Sequence, residues 1–594
     1  MYRSRNILTL APIWLPSVFA RFLGRMDPAP VDLTSDQSLV RESWENITST
    51  FEGHLSGKSP LPVLSGLENV TFSLGMFSTH DSEAAGHLQY HYTSPDIANS
   101  SQGVNKVDGD SIYRIASLSK LITVLAGLIE LDPADWNRPL SEIFPEIAKL
   151  PGDDPIRNIG WNQITALTLG SQISGVPRDA APFLPNEIYY QLTQEVPPVD
   201  PASIGLPPPS PNNNSAINVP CQDQYCTAVQ YIKGQQSPTF LPWQSPGYAD
   251  TNFILLGRVI SQLTNLTIEE FYHKAVFDPL AMTRSTSKSP TEKGYSGYVV
   301  AGDLSAFAFD GGITSSSGGV FSTTNDLAKL GVGILNSTLL PADQTRKWMK
   351  PNSFTSHLEF AMGNGWEIYR YTHKDTGAVT DMYTKLGDSG NYASYLVLVP
   401  DYDIGFSVIQ ASNMAAAQRS HAVQLLADLI SETMLPALQA QAAAEAKCNF
   451  AGTYWSAPAD NQTASSMTLV YNETAGTGTG LTISSFTNNG HDIIALLTQY
   501  YGSSQLMLQS AIPDSGNHRV SFQITAAIPE SAWDSSTGLF SKQWYTNSDW
   551  ISNNAATYGA VGIGTIWFDL SPQGKATAVT VPFLRKTFSR RERA

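Results

Sequence analysis

The chain of 594 residues is longer than one hydrophobic core ordinarily supports, so its length predicts two or more domains. Hydrophobic residues make up 42% of the sequence and charged residues 15%, which is typical of a folded globular protein. The formal net charge of -16 gives the surface the sign of a phosphate backbone, which argues against nucleic-acid binding as a main role.

Residues 1–20 have the features of a secretory signal peptide. Arg3 and Arg5 are followed by a mostly apolar stretch that ends in the small-residue site Val18-Phe19-Ala20. Prolines and short length make this stretch a poor transmembrane helix, and no later segment is long and apolar enough to span a bilayer. The alternative interpretation of the segment is a disordered arm.

The remaining composition favours a secreted, glycosylated protein. Cys221 and Cys226 are close enough for a local loop disulfide, and Cys448 is left over. Three cysteines form neither a disulfide framework nor a zinc pattern, so we expect no metal and no other cofactor. Asn-x-Ser/Thr sequons occur at Asn46, Asn69, Asn99, Asn213, Asn265, Asn336, Asn461 and Asn472.

The first elements in chain order are short strands and buried helices. Segments Thr71–Ser78 and Leu88–Thr93 predict strands, and Ser117–Leu131 is apolar nearly all round, which predicts a buried helix. Residues 178–246 contain proline and asparagine runs and predict an irregular insertion, either a lid or binding loop or a plain surface decoration. A helical pattern resumes over Asp250–Leu263.

The middle of the chain predicts a strand pair and then a helix. Tyr392–Val399 and Ile404–Gln410 are rich in β-formers and are separated by a turn sequence. Asn413 to Lys447 is rich in Ala, Gln and Leu and predicts a helix that is interrupted at Pro436.

After about residue 448 the composition changes to that of a separate all-β domain, which we place at 448–584. The basic residues 585–594 predict a disordered tail. Short β-rich runs separated by Gly, Asn and Ser occur at Met467–Tyr471, Leu481–Ser485, Asp492–Leu497, Val520–Ile524 and Thr565–Leu570.

Ser117-Leu118-Ser119-Lys120 is a candidate nucleophile motif of the S-x-x-K type. Residues three apart share one face of a helix, so Lys120 would point the same way as Ser117. A serine hydroxyl needs a neighbouring base, and a lysine can serve when burial disfavours its ammonium form. We therefore expect Ser117 to be the nucleophile and Lys120 to activate it.

Two later segments add groups to this site. Tyr248 precedes a helix, and a tyrosine close to a lysine can serve as a general base. Lys385 and Gly387 lie before the strand pair, where the lysine can orient a substrate carboxylate and the glycine permits close approach. Gly387 to Gly390 also matches the G-D-S-G of trypsin-like proteases around Ser389, but no matching histidine segment lies upstream.

These elements resemble the serine β-lactamase and penicillin-binding-protein superfamily, closest to its class C β-lactamase and serine esterase branch and its fungal secreted members. S-x-x-K, Y-x-N and K-T-G appear in family order as Ser117…Lys120, Tyr248…Asp250 and Lys385…Gly387. The resemblance implies an α/β (α+β) fold over residues 35–445: a β-lactamase/transpeptidase-like domain with an antiparallel sheet flanked by helices.

The resemblance also implies a role for each residue. Ser117 would become acylated, Lys120 and Tyr248 would move its proton, and Lys385 would act on the tyrosine or on a substrate anion. Backbone N–H groups of Ser117 and Asp388 would form the oxyanion hole.

Two departures from the family pattern change the expected chemistry. Asp250 replaces Asn and, when ionised, only accepts hydrogen bonds, so it could hold Lys120 charged. Leu386 replaces a Thr or Ser hydroxyl that often binds a substrate carboxylate. Both changes favour esters or other acyl donors over β-lactams.

The sequence therefore predicts a serine acyl hydrolase that acts on a small-molecule ester, amide or lactam. Two alternatives stay open: an acyltransferase of secondary metabolism on the same scaffold, and a non-catalytic binding protein that retains the fold. The oligomeric state is left open.

Overall fold

The structure is a computed structural model that describes residues 25–150, 152–178, 192, 197–207, 237–458, 463–474, 479–526 and 556–591. The predicted signal peptide, Cys221, Cys226 and most of the predicted insertion lie outside these ranges. The thiol of Cys448 is free and exposed.

The described residues divide into two compact units. The first comprises Pro30–Arg370 and Asp381–Leu438, and the second comprises residues 25–29, Tyr371–Thr380 and the chain from Gln439.

The first unit is organised around an antiparallel sheet with the strand order β2-β1-β10-β9-β8-β7-β6-β5. Its central strands β1, β9 and β10 are buried along their whole length, as their near-continuous apolar sequences require. The short strands β3 and β4 pair separately. The bounds are β1 (Thr71–Ser78), β2 (Gln89–Tyr92), β3 (Tyr113–Arg114), β4 (Phe321–Ser322), β5 (Pro351–Phe354), β6 (Phe360–Gly363), β7 (Glu367–Thr372), β8 (Val379–Ser389), β9 (Tyr392–Val399) and β10 (Ile404–Ala411).

Helices accompany this sheet, and one of them, α4, is central to the core. All its residues from Ser119 to Gly127 are buried, because its sequence is apolar on every face, as predicted. The helices are α1 (Leu39–Leu55), α2 (Ala84–His87), α3 (Pro95–Ala98), α4 (Ser119–Glu130), α5 (Leu140–Ile143), α6 (Ala166–Gly170), α7 (Asp250–Thr264), α8 (Ile268–Tyr272), α9 (Leu304–Phe307), α10 (Ser315–Gly318), α11 (Thr324–Leu335), α12 (Ala342–Trp348) and α13 (Ala416–Phe450).

The expected interruption of the last of these helices at Pro436 is wrong. Helix α13 runs continuously from Ala416 to Phe450 with the proline inside it. A proline removes one backbone N–H donor from the helix. Both neighbours of Pro436 in sequence, Leu435 and Ala437, are buried, so packing on both sides holds the helix together across the lost hydrogen bond.

The second unit is a closed antiparallel sheet. Its strand order is β12-β11-β21-β20-β19-β16-β15-β13-β14, and an added pairing of β12 with β13 closes the ring, with the two-residue β14 paired to β13. Closure removes exposed edges, which otherwise invite pairing with other chains. The bounds are β11 (Gly452–Ser456), β12 (Ser465–Asn472), β13 (Gly480–Asn488), β14 (His491–Asp492), β15 (Leu506–Ile512), β16 (Arg519–Ala526), β17 (Thr557–Tyr558), β18 (Val561–Gly562), β19 (Thr565–Leu570), β20 (Ala576–Val581) and β21 (Lys586–Arg590), with β17 and β18 in a separate hairpin.

Two predictions for this unit are wrong. The run Asp492–Leu497 is not a strand but begins helix α14 (Ile493–Tyr501), because the Asp492 side chain accepts hydrogen bonds from the first helical N–H groups and Gly502 ends the helix in the left-handed conformation. Residues 586–590 are not a disordered tail but strand β21, with Phe588 buried in the core. Arg590 also donates to the backbone carbonyl of Ala451 (2.6 Å), just beyond the end of α13.

The predicted fold class is confirmed: a domain with an antiparallel sheet and helices is followed by a β domain. Among the described residues, no helix combines the length and apolarity needed to cross a bilayer.

Candidate active site

Ser117 lies in a single 3-10 turn, Ala116–Leu118, directly before α4. Ala116 has a φ of 46°, in the left-handed region that a residue with a Cβ rarely adopts. The Ser119 hydroxyl holds this turn, because it donates to the Ala116 carbonyl (2.6 Å) and accepts from the Val320 N–H (3.0 Å). The strained turn presents Ser117 at the start of the helix.

Lys120 is fully buried and points from α4 towards Ser117. Its Nζ donates to Ser117 Oγ (2.9 Å), to Asp250 Oδ1 (2.5 Å) and to the Ser317 carbonyl (2.8 Å). An ammonium has three donors, and each has an acceptor here. This environment fits the charged form of Lys120.

Asp250, the first residue of α7, is the counter-charge. Burial alone would raise the pKa of its carboxyl, but the Lys120 charge and hydrogen bond, the Ser317 hydroxyl (2.7 Å) and the Arg178 charge together lower the pKa below its usual value. Asp250 is therefore ionised at neutral pH.

Tyr248 lies two residues earlier, with its hydroxyl 2.8 Å from Ser117 Oγ. Cationic groups surround its ring at 5.0 Å (Lys120), 5.6 Å (Lys385) and 4.9 Å (Arg178) from the centroid. Burial nevertheless raises the pKa of Tyr248 well above its ordinary value, against the opposing charge of Lys385. The resting side chain is a neutral phenol.

The loop that carries Tyr248 is fastened by Gln172. The Gln172 carbonyl accepts from Gly247 N–H (2.8 Å), and its side-chain Oε1 accepts from Ala249 N–H (2.8 Å) and Asn252 Nδ2 (2.8 Å). The residues directly before and after Tyr248, Gly247 and Ala249, are therefore both hydrogen-bonded to Gln172. They fix the approach of its hydroxyl to Ser117.

Lys385, on β8, forms a buried pair with Glu367 of β7. Its Nζ donates to Glu367 Oε1 (2.6 Å) and to the carbonyl of Leu386 (2.7 Å), while Glu367 Oε2 accepts from Leu386 N–H (2.9 Å). The lysine side chain is 3% exposed. Its charge is balanced within the protein, which restricts it as a partner for a substrate anion.

Gly387 permits β8 to pass against the nucleophile turn. A Cβ on this residue would lie 2.1 Å from the Ile115 carbonyl oxygen and 2.9 Å from Leu118 N. The same carbonyl accepts a hydrogen bond from Ser394 Oγ (2.8 Å) on the neighbouring strand. Only glycine fits this contact.

The Asp388 side chain is committed to structure. Its carboxylate accepts from Arg419 Nε (2.8 Å) and from Ser420 Oγ. Any part of Asp388 in substrate binding must therefore use its backbone N–H. Across the described ranges, no group of three or more His, Cys, Asp or Glu side chains is placed to hold a metal.

The structure thus brings Ser117, Lys120, Tyr248 and Asp250 into direct contact and places Lys385 beside the same tyrosine. Sequence reasoning missed the partners of these groups. Glu367 stands alone in a strand and Gln172 in a loop, so neither belongs to a sequence motif. The partners are Gln172, Arg178, Ser317 and Glu367.

Two family models match the chain. One, described as "Beta-lactamase", matches residues 79–428, which is more than half of the chain. The other, described as "Beta-lactamase-like-like, C-terminal domain", matches residues 442–592.

Relatives and solved structures are similar at low identity. A "Beta-lactamase-like protein" of Arthroderma benhamiae is 24% identical over 98% of this chain and 97% of its own. "Probable hydrolase clz13" of Cochliobolus lunatus is 24% identical over 80% of this chain and 75% of its own. The D-amino acid amidase of Ochrobactrum anthropi is 17% identical with a TM-score of 0.45, over 67% of this chain and 99% of that chain. The octameric penicillin-binding protein homologue of Pyrococcus abyssi is 16% identical with a TM-score of 0.45, over 80% and 98%.

Proposed function

The chain belongs to the beta-lactamase family and is a hydrolase of that family, and we propose that it acts through an acyl-enzyme formed on Ser117. One observation carries the proposal: Ser117 Oγ lies within hydrogen-bond distance of both Lys120 Nζ (2.9 Å) and the Tyr248 hydroxyl (2.8 Å). A serine so placed has one neighbour to stabilise its developing charge and another to relay its proton.

The proposed acylation keeps both neighbours in their resting protonation states. Ser117 Oγ attacks the acyl carbonyl and passes its proton to the Tyr248 oxygen. Tyr248 passes its own proton to the leaving alcohol oxygen as the carbonyl–oxygen bond breaks. The Lys120 ammonium, held by Asp250, stabilises the negative charge that develops on these oxygens.

Deacylation reverses the relay. A water molecule gives its proton to Tyr248 as its oxygen attacks the acyl carbon, and Tyr248 returns its proton to Ser117 Oγ. The carboxylic acid then leaves. The oxyanion hole in this proposal consists of the backbone N–H groups of Ser117 and Asp388, two donors preorganised for the tetrahedral intermediate.

We propose an ester as the substrate. Leu386 offers no hydroxyl for the carboxylate of a β-lactam, and Asp250 offers no N–H donor for a side-chain amide. An ester with an activated alcohol needs neither contact. Water as the acceptor makes the protein a hydrolase, and an alcohol in its place would make it an acyltransferase.

Labelling with a fluorophosphonate probe tests the nucleophile. We expect the wild-type protein to be labelled and to hydrolyse para-nitrophenyl butyrate, while Ser117→Ala does neither. Ser389→Ala is the matched control, because this exposed serine carries the G-D-S-G resemblance and we expect full labelling. Equal labelling of wild type and Ser117→Ala would refute the proposal.

A chromogenic β-lactam and an added alcohol refine the test. We expect slow or no β-lactam turnover. If butyl ester forms faster than butyric acid when butanol is added, the protein is an acyltransferase instead.

A further inference from the structure

Gly387 and Asp388, near the end of β8, face opposite sides of the sheet. Successive residues of a strand alternate between the two faces, and residues paired across strands share a face. Gly387 pairs with Ser394 on β9, and Ser394 Oγ donates to the Ile115 carbonyl (2.8 Å) of the nucleophile turn. A Cβ on Gly387 would lie 2.1 Å from the same carbonyl oxygen. The side chain of Asp388 therefore points to the face away from this turn.

The start of α13 contacts that second face. Asp388 pairs with Ala393 on β9, and Ala393 pairs with Gln410 on β10, so the three form one row across the sheet. Arg419 spans this row, because its guanidinium binds the Asp388 carboxylate (2.7 Å) and its backbone carbonyl accepts from Gln410 Nε2 (2.6 Å). The Ser420 hydroxyl donates to the other carboxylate oxygen of Asp388. The helix thus ties the end of β8 to a strand two places away.

The contact between Asp388 and Arg419 is largely shielded from water. The Arg419 side chain is 7% exposed and that of Asp388 is 19% exposed, while Gln410 is fully buried. Two guanidinium nitrogens of Arg419 lie 2.7 and 2.8 Å from the same carboxylate oxygen. Hydrogen bonds between charged groups are strong in such surroundings, whereas exposed ion pairs contribute little. The pair can therefore hold the strand end in one position.

The backbone N–H of Asp388 points away from β9. Along a strand, the N–H groups of residues two apart point the same way. The Leu386 N–H donates to Glu367 Oε2 (2.9 Å), which lies on the β7 side of β8. The Asp388 N–H points to this side as well, but β7 begins at Glu367, so Asp388 lies past the end of that strand. This direction suits a donor of the oxyanion hole.

We propose that Arg419 is a positioning residue of the oxyanion hole, with Ser420 in support. Together they hold the Asp388 carboxylate, and this contact keeps the backbone N–H of Asp388 directed at the acyl oxygen. Such a donor is most effective when its position is fixed before the reaction, because no energy is then spent on reorganising it. The inference rests on the proposed acyl-enzyme at Ser117 and on the Asp388 N–H as a donor to its oxyanion.

A boronic acid tests the oxyanion hole directly. Butylboronic acid binds a nucleophilic serine reversibly as a tetrahedral adduct, with one oxygen in the position of the oxyanion. We expect Arg419→Gln to raise its Ki, and to lower kcat/KM for para-nitrophenyl butyrate, by a similar factor of about 10- to 100-fold, as when a preorganised donor is displaced. Arg419→Lys keeps the charge but not the planar guanidinium, so it should restore part of both values.

A double variant distinguishes positioning from a general loss of structure. Asp388→Ala keeps the backbone N–H but removes the carboxylate, so it should lower kcat/KM about as much as Arg419→Gln. Because both changes break one contact, the double variant should lose little more than either single variant. Ser420→Ala is a milder change, and we expect it to raise the boronate Ki by about 2- to 10-fold through the loss of one hydrogen bond.

Arg370→Gln is the matched control. It removes another contact between an arginine and an aspartate of β8, the 3.1 Å pair of Arg370 with Asp381. We expect its boronate Ki and kcat/KM to equal those of wild type. An unchanged Ki in Arg419→Gln, losses that multiply in the double variant, or an equal loss in Arg370→Gln would each overturn the inference.

Failure of this inference is distinguishable from failure of the proposed function. Ser117-dependent hydrolysis of the butyrate ester that Arg419→Gln leaves unchanged refutes only the positioning role. Absence of Ser117-dependent turnover in wild type, together with absence of fluorophosphonate labelling, refutes the acyl-enzyme itself.

Discussion

Replacing Asp250 with Asn tests whether the buried ion pair holds the site together. The Lys120 ammonium is 0% exposed, and its Nζ lies 2.5 Å from the carboxylate. Removing one partner of a buried pair costs about 3–5 kcal/mol because the other charge is left uncompensated. Asn keeps an acceptor for Lys120 and for Ser317, so we expect Asp250→Asn to lower the free energy of unfolding by about 2 kcal/mol and Asp250→Ala by about 4 kcal/mol.

Urea unfolding of the full chain measures these losses, and Asp381→Asn is the matched control. Asp381 pairs with Arg370 at 3.1 Å, but both side chains are more than 40% exposed, so its loss should cost about 0–1 kcal/mol. The folded pKa of Asp250 lies below its ordinary value of 3.8. Its contribution is therefore complete above pH 4 and is lost as the pH falls further. If Asp250→Asn costs no more than Asp381→Asn at pH 7, the reasoning is wrong.

Three further predictions concern the surroundings of the site and the second unit. Gly387→Ala places a Cβ 2.1 Å from the Ile115 carbonyl, so kcat/KM for an ester should fall about 100-fold, and unchanged kinetics would contradict the close contact. Glu367→Gln removes a charge that helps burial raise the pKa of Tyr248, so the alkaline limb of the pH–rate profile should move to lower pH; a shift to higher pH would be inconsistent. Burial raises the pKa of Asp27 to about 7, so the native state favours the protonated acid and loses up to about 4 kcal/mol as pH rises from 4 to 7. Asp27→Asn should therefore unfold at higher urea than wild type at pH 8 but not at pH 4, and equal midpoints at pH 8 would count against it.

Local sequence patterns determined the elements whose burial is the same on every face. The strands Thr71–Ser78 and Tyr392–Val399 have the bounds that their apolar runs predict, and α4 is buried from Ser119 to Gly127. The order of Ser117…Lys120, Tyr248…Asp250 and Lys385…Gly387 identified the family, because each motif is short and contiguous in sequence.

Sequence patterns failed where a distant contact or a cap outweighed local propensity. The run after Asp492 is rich in β-formers, but a side-chain cap and a terminal glycine make it a helix. The basic segment 586–590 is a strand because it lies between β11 and β20, which pair with it on both sides.

Tertiary structure alone decided how the charges of the site are paired. Lys120 and Asp250 are 130 residues apart in sequence, and Glu367 is 18 residues from Lys385, so neither pair forms a motif. Their side chains meet only after α4, α7 and the register of β7 and β8 are in place. The sequence determined that a serine lies three residues before a lysine at the start of a buried helix. The fold decided that the lysine is buried against the Asp250 carboxylate and that Tyr248 beside it is a neutral phenol, because burial favours the uncharged form of a tyrosine.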